Sequence, residues 1–179
     1  NNVLIAPNEC FKNSLVDVPG STPSIYAIRN ASHGRISHRF YSSKALNDTR
    51  PLVVYTPPGY DPQGDKKYPV LYLLHEATET HESWFKVGRV NFILDTLIAQ
   101  GLAEPMIVVM PYTNPYRTVA GKINCQVPAS FDYNDELQNE VFPYVKQHYL
   151  TTGDTQLLKA SCDADCRSYF YKIAQTIFK

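Results

Sequence analysis

The stretch Ala160-Ser-Cys-Asp-Ala-Asp-Cys166 places two thiols and two carboxylates within seven residues. A thiolate at Cys162 is a nucleophile once a base or a nearby cation lowers its pKa. No His follows His148, so no imidazole lies downstream to activate it. Asp163 as a covalent carboxylate nucleophile would meet the same shortage at its second step. Cys162 and Cys166, with Asp163 and Asp165, also offer four donors to zinc, but the spacing is unlike that of zinc sites. Disulfide pairing is the better reading. His81-Glu82, with Glu76 and Glu79 nearby, makes a loose cluster that lacks metal-ligand spacing and reads as a solvated acidic loop. His33 and His38 carry no signal. Tyr112, Tyr116 and Tyr133 suit either a sugar-stacking surface or half-buried packing. The residues call for no cofactor and no metal.

These groups need a scaffold, and the bulk properties bound it. The 179 residues suffice for one domain with a real core. Formal net charge is zero and there is no basic block, which argues against nucleic acid or an anionic membrane surface as partner. No apolar run approaches the ~20 residues of a membrane span. Cys10, Cys125, Cys162 and Cys166 form an even set, compatible with two disulfides in three connectivities. Asn30-Ala-Ser and Asn47-Asp-Thr are glycosylation sequons. Together these features favour a secreted protein, and the start at Asn1 suits a processed form.

The scaffold centres on Tyr68-Pro-Val-Leu-Tyr-Leu-Leu-His75, an apolar run closed by a histidine. Such a run without polar alternation reads as a strand buried on both faces, which belongs to a parallel sheet covered by helices. Met106-Ile-Val-Val-Met110 is a second such strand. Between them Val90, Ile93, Leu94, Leu97 and Ile98 recur on one helical face, and Gly101 ends that helix. Ile36–Ser42 and Arg50–Thr56 predict outer strands. The polar turn 61–67 would make the strands on either side of it antiparallel neighbours. Residues 112–130 read as loop. Leu137, Val141, Tyr144, Val145 and His148 share a helical face that Pro143 should kink or restart. Leu157–Ala160 is a weak third buried strand, and residues 169–178 a last helix. Residues 1–34 read as an irregular arm, with the domain proper from 35 to 179.

Several motifs together resemble the esterase D-like branch of the α/β-hydrolases, which includes feruloyl and acetylxylan esterases. They are Val54-Tyr-Thr-Pro-Pro-Gly-Tyr60, Lys67–His75, Trp84, Gly88-Arg-Val-Asn91, Leu97-Ile-Ala99 and Pro105-Met-Ile-Val-Val-Met-Pro111. The resemblance covers about residues 36–160. It implies an α/β fold with a mainly parallel sheet, helices on both faces, and antiparallel strands at the N-terminal edge. It also implies a nucleophile on a G-x-S-x-G elbow, an oxyanion hole partly from glycines after His75, and a later acid and His. The sequence departs at each point. Glu76-Ala-Thr-Glu79 replaces the glycines and should crowd and repel a developing oxyanion. Asp163, or Cys162 after a one-residue shift, stands at the elbow. The C-terminal strands of the resembling fold have no counterpart.

From these departures the expectation is a secreted, catalytically inactive esterase-like protein acting through binding or self-assembly. Its open sheet edge would be covered by a homo-oligomer or polymer, or by a second protein chain. His75 is then a structural part of the oxyanion-loop turn. The alternatives are an active carbohydrate esterase with a non-standard nucleophile, or a carbohydrate-binding module.

Overall fold

A computed structural model of the chain describes residues 4–6, 13–15, 24–115, 117–119, 122–124, 133–160 and 166–178. Strands β1 (Leu4–Ala6) and β2 (Asn13–Leu15) pair antiparallel, so the arm read as irregular holds a small ladder of its own. The main sheet contains β3 (Arg35–Ser43), β4 (Asp48–Thr56), β5 (Tyr68–Leu74), β6 (Ile107–Pro111) and β9 (Thr151–Lys159), in the order β3-β4-β6-β5-β9. The β3–β4 and β4–β6 pairs are antiparallel, while β6–β5 and β5–β9 are parallel. Only β4 therefore runs against the other four. This is the expected α/β sheet with its antiparallel portion at the N-terminal edge.

One local expectation fails. The strands flanking the 61–67 turn are not neighbours, because β6 enters between β4 and β5. Both faces of β6 are buried, so this wholly apolar strand gains more in the middle of the sheet than at an edge. A second correction concerns residues 112–130. That region includes a hairpin of β7 (Arg117–Val119) and β8 (Lys122–Asn124), too short to show a period in sequence.

Helices α1 (Ser83–Lys86), α2 (Val90–Ala99) and α5 (Cys166–Ala174) cover one face of the sheet. There Val53, Tyr55, Leu71, Leu73, Val108 and Met110 meet Trp84, Ile93, Leu97 and Phe170. Gly101, at φ 67°, closes α2 in the left-handed conformation expected of a C-terminal glycine. The other face is covered by α3 (Tyr133–Glu136), a π-helical turn (Leu137–Val141) and α4 (Phe142–His148). Its core joins Leu52, Val54, Val70, Tyr72 and Val109 to Leu137, Val141 and Val145. Pro143 lies in the first turn of α4, just past the π turn. The backbone stays helical through Val141 and Phe142, so the proline's missing N–H is absorbed by the π turn without a break.

Strand β9 begins earlier than expected, at Thr151, and is mostly exposed. Leu157 is 51% exposed, whereas Leu158 and Ala160 pack against the α2–α5 core. Among the described residues β9 pairs only with β5, so its outer edge is open.

Candidate functional site

Strands β5, β6 and β9 are parallel, so their carboxyl ends lie together. In an open α/β sheet this end is where loops can converge on a ligand. His75 follows β5 and is 1% exposed. Its Nε2 accepts the backbone N–H of Thr113 at 3.0 Å, just beyond β6. The ring proton must then be on Nδ1, which donates to the carbonyl of Glu76 at 2.8 Å. Both ring nitrogens are thus used to join the ends of the two central strands. Burial lowers the pKa of His75 to about 4, so the imidazole is neutral at pH 7.

The loop after His75 is short and tightly bonded. Glu79 places Oε2 3.3 Å from the backbone nitrogen of Glu76, the first amide donor after the histidine. Thr78 adopts φ 71°, a left-handed conformation more usual for glycine. Glu76 and Glu79 therefore differ in place: the carboxylate of Glu79 folds back onto the loop backbone. Asn114 Nδ2 donates to the Glu79 carbonyl at 2.8 Å, and Trp84 Nε1 donates to the Leu74 carbonyl at 3.1 Å.

A buried arginine fixes the β6 side. Arg50, on β4, donates through Nη2 to the carbonyls of Tyr112 (3.0 Å) and Asn114 (2.5 Å). Its guanidinium carbon lies 4.5 Å from the centroid of the Tyr112 ring, and its Nε is 3.6 Å from Glu136 Oε1. Tyr112 is 7% exposed and its ring also meets those of His75 and His81. It is a packing residue here, not an exposed platform for a sugar ring. Tyr133 is half-buried beneath the same network, and Tyr116 lies outside the described residues.

Beside this end of the sheet, His38 of β3 approaches His81 and Glu82. One donor atom from each lies within 4.8 Å of the others. The sequence showed only the His81-Glu82 pair, because His38 arrives from a strand more than forty residues earlier. The loose grouping with Glu76 and Glu79 is not what forms. Asp95 was also missed. This buried α2 residue accepts from Tyr55 Oη (2.8 Å) and the Gly34 N–H (2.9 Å), and pairs with His33 Nδ1 (2.8 Å). His33 is thus a tether to α2. At the opposite end of the sheet a cleft of about 490 Å³ is lined by Arg35, Arg39, Tyr60, Tyr144 and His148 among others, well away from His75.

Of the remaining sequence candidates, Cys10, Cys125, Cys162 and Asp163 lie outside the described residues. Cys166 is buried at the start of α5. Strand β9 ends at Lys159 and α5 begins at Cys166. Asn30 and Asn47 are both exposed.

The family model for Esterase matches residues 43–161. The chain is 32% identical over 152 residues to an endo-1,4-beta-xylanase/feruloyl esterase of Xylanibacter ruminicola, covering 81% of this chain and 20% of that protein. Among solved structures, a mutant of the feruloyl esterase module from Clostridium thermocellum, complexed with sinapinate, is 27% identical. It superposes with a TM-score of 0.62 over 84% of this chain and 53% of that one. A CE1 ferulic acid esterase from Anaeromyces mucronatus is 26% identical, with a TM-score of 0.62 over 83% and 58%. The chain thus spans about a fifth of the xylanase/feruloyl esterase and somewhat over half of these two solved chains.

These relatives overturn the expectation of an inactive protein acting through binding or self-assembly, since they are named as feruloyl esterases. The missing downstream His carried that expectation, and it loses its force when the matched region is only part of each relative. The chain belongs to the Esterase family, within the α/β-hydrolase fold of the feruloyl esterases.

Proposed function

We propose that the chain forms part of an active, secreted carbohydrate esterase that releases feruloyl or acetyl groups from polysaccharide. The observation that carries this reading is the colinear similarity of four fifths of the chain to a feruloyl esterase-containing protein. The scaffold on which the family's chemistry depends is also present. Three parallel strands end together, and a buried neutral His75 braces the loop whose first amide, that of Glu76, is an oxyanion-donor candidate. The sequence between β9 and α5 carries the small-x-Cys-x-small pattern Ala160-Ser-Cys-Asp-Ala164.

In this reading the Cys162 thiolate adds to the ester carbonyl. The sugar oxygen leaves, taking a proton, and water then hydrolyses the thioester to the free acid. A general base takes the thiol proton, returns it to the leaving sugar oxygen, and then activates the water. The open outer edge of β9 is in keeping with further strands of the same esterase pairing there. The test is hydrolysis of methyl ferulate and of an acetylated xylan by the native protein isolated from its source. Turnover abolished by iodoacetamide and by Cys162→Ala is the expected result. No turnover of either substrate would refute the esterase reading, and turnover indifferent to both treatments would refute the role of Cys162.

A further inference from the structure

The geometry points to a binding site for one divalent transition-metal ion of the zinc class, built by His38 of β3 with His81 and Glu82 of the loop that follows β5. Each residue offers one donor atom, and the three atoms lie within 4.8 Å of one another. Zinc bonds to imidazole nitrogen and carboxylate oxygen are ~2.0–2.2 Å long, so each donor need move by less than ~1 Å to share one ion. Two imidazoles and one carboxylate form a donor set that zinc accepts readily, with water at the remaining position.

A second observation singles out this place. The Nδ1 atom of His81 is shielded from solvent and has no hydrogen-bond partner. A buried polar nitrogen left unpaired costs free energy, and a bound ion would relieve it. The carboxylate is already oriented. Glu82 Oε2 is held by Lys86 Nζ at 2.6 Å, which leaves Oε1 turned toward His38 Nδ1 at 4.0 Å. The rings are held by aromatic edges, His38 against Phe85 at 5.7 Å and His81 against Tyr112 at 5.8 Å between centroids. The loop is pinned by the Thr80 N–H to Ser83 Oγ (3.1 Å) and the Glu82 N–H to Thr80 Oγ1 (3.2 Å).

A bound ion would tie the edge strand β3 to the loop beside Tyr112 and His75. It would act as a clamp next to the strand-end site, independent of any nucleophile at Cys162. The experiment is calorimetric titration of the chelator-treated native protein with zinc chloride, alongside thermal unfolding with and without zinc. Wild type is expected to bind one zinc per chain and to melt at higher temperature when loaded. His38→Ala is an exposed substitution that leaves the core intact. It should weaken zinc binding by more than the ~10–100-fold typical of losing a residue behind the ligands, and should abolish the thermal shift. Glu82→Gln should do the same, whereas Cys162→Ser should leave both unchanged. The proposal is overturned if wild type takes up no zinc at submillimolar concentrations. It is equally overturned if zinc binding survives His38→Ala, or is lost with Cys162→Ser.

Discussion

Lowering the pH should destabilise this protein through the buried imidazole of His75. His75 accepts the Thr113 N–H on Nε2 and donates from Nδ1, so a second ring proton would face a donor inside the core. Its pKa falls from 6.5 to about 4, chiefly through burial. Between those values the unfolded chain binds a proton that the folded chain refuses. Stability therefore rises with pH through this window and is lost as pH drops from about 6.5 toward 4. At ~1.4 kcal/mol per pH unit the full shift is worth about 3 kcal/mol, of which about 2 kcal/mol disappears between pH 7 and pH 5. Staying above about pH 5 avoids most ordinary carboxylate titration. His81, also lowered to about 4 by burial, acts in the same direction, so the clean measurement uses His81→Ala. Urea unfolding of that variant at pH 7, 6 and 5 should show the loss, and adding His75→Asn should flatten it. A free energy of unfolding in His81→Ala that is level from pH 7 to 5 would refute the buried-neutral account, as would an NMR titration placing His75 near 6.5.

Three further outcomes are expected. Asp95→Ala leaves the buried Tyr55 hydroxyl and the part-buried Gly34 N–H without their acceptor, and should cost about 1–3 kcal/mol in urea unfolding for the hydroxyl and less for the amide. Gly34→Ala would drive a methyl group into the Tyr55 ring and the Thr56 carbonyl, costing about 1–3 kcal/mol by the same measurement. Glu79→Ala releases the Glu76 amide from its carboxylate partner. If that amide serves as an oxyanion donor, methyl ferulate turnover should rise toward the ~10²-fold that one donor is worth, without a matching change in KM.

What could be read beforehand depended on how locally each feature was written. Strands β5 and β6 announce themselves because both faces are buried, and α2 because its apolar residues repeat at helical spacing. The irregularity before Pro143 follows from the missing amide proton, although it takes the form of a π turn and not of a break. Strand β9 was read too short because its first residues face solvent and carry no apolar pattern. The insertion of β6 between β4 and β5 is a choice among pairings, which no single segment encodes. The site was less legible than the fold for the same reason. His75 closes a strand and so drew notice, but Arg50 and Asp95 look like ordinary charged residues until distant backbone groups converge on them. His38 joins His81 only because β3 and the loop after β5 meet in space.

The open flank of β9 also gives the sheet a clock. Strands β4, β6 and β5 each have a hydrogen-bonded neighbour on both sides, whereas β9 is held on one side only among the described residues. Its partly exposed residues add little burial to resist local opening. Amide deuteration should therefore start from the two edges, reaching the outward amides of β9 and of the other edge strand β3 first. The central β5 and β6 amides should exchange only when the whole fold opens. A partner bound against that flank would be read by the same label, as a delay confined to one strand.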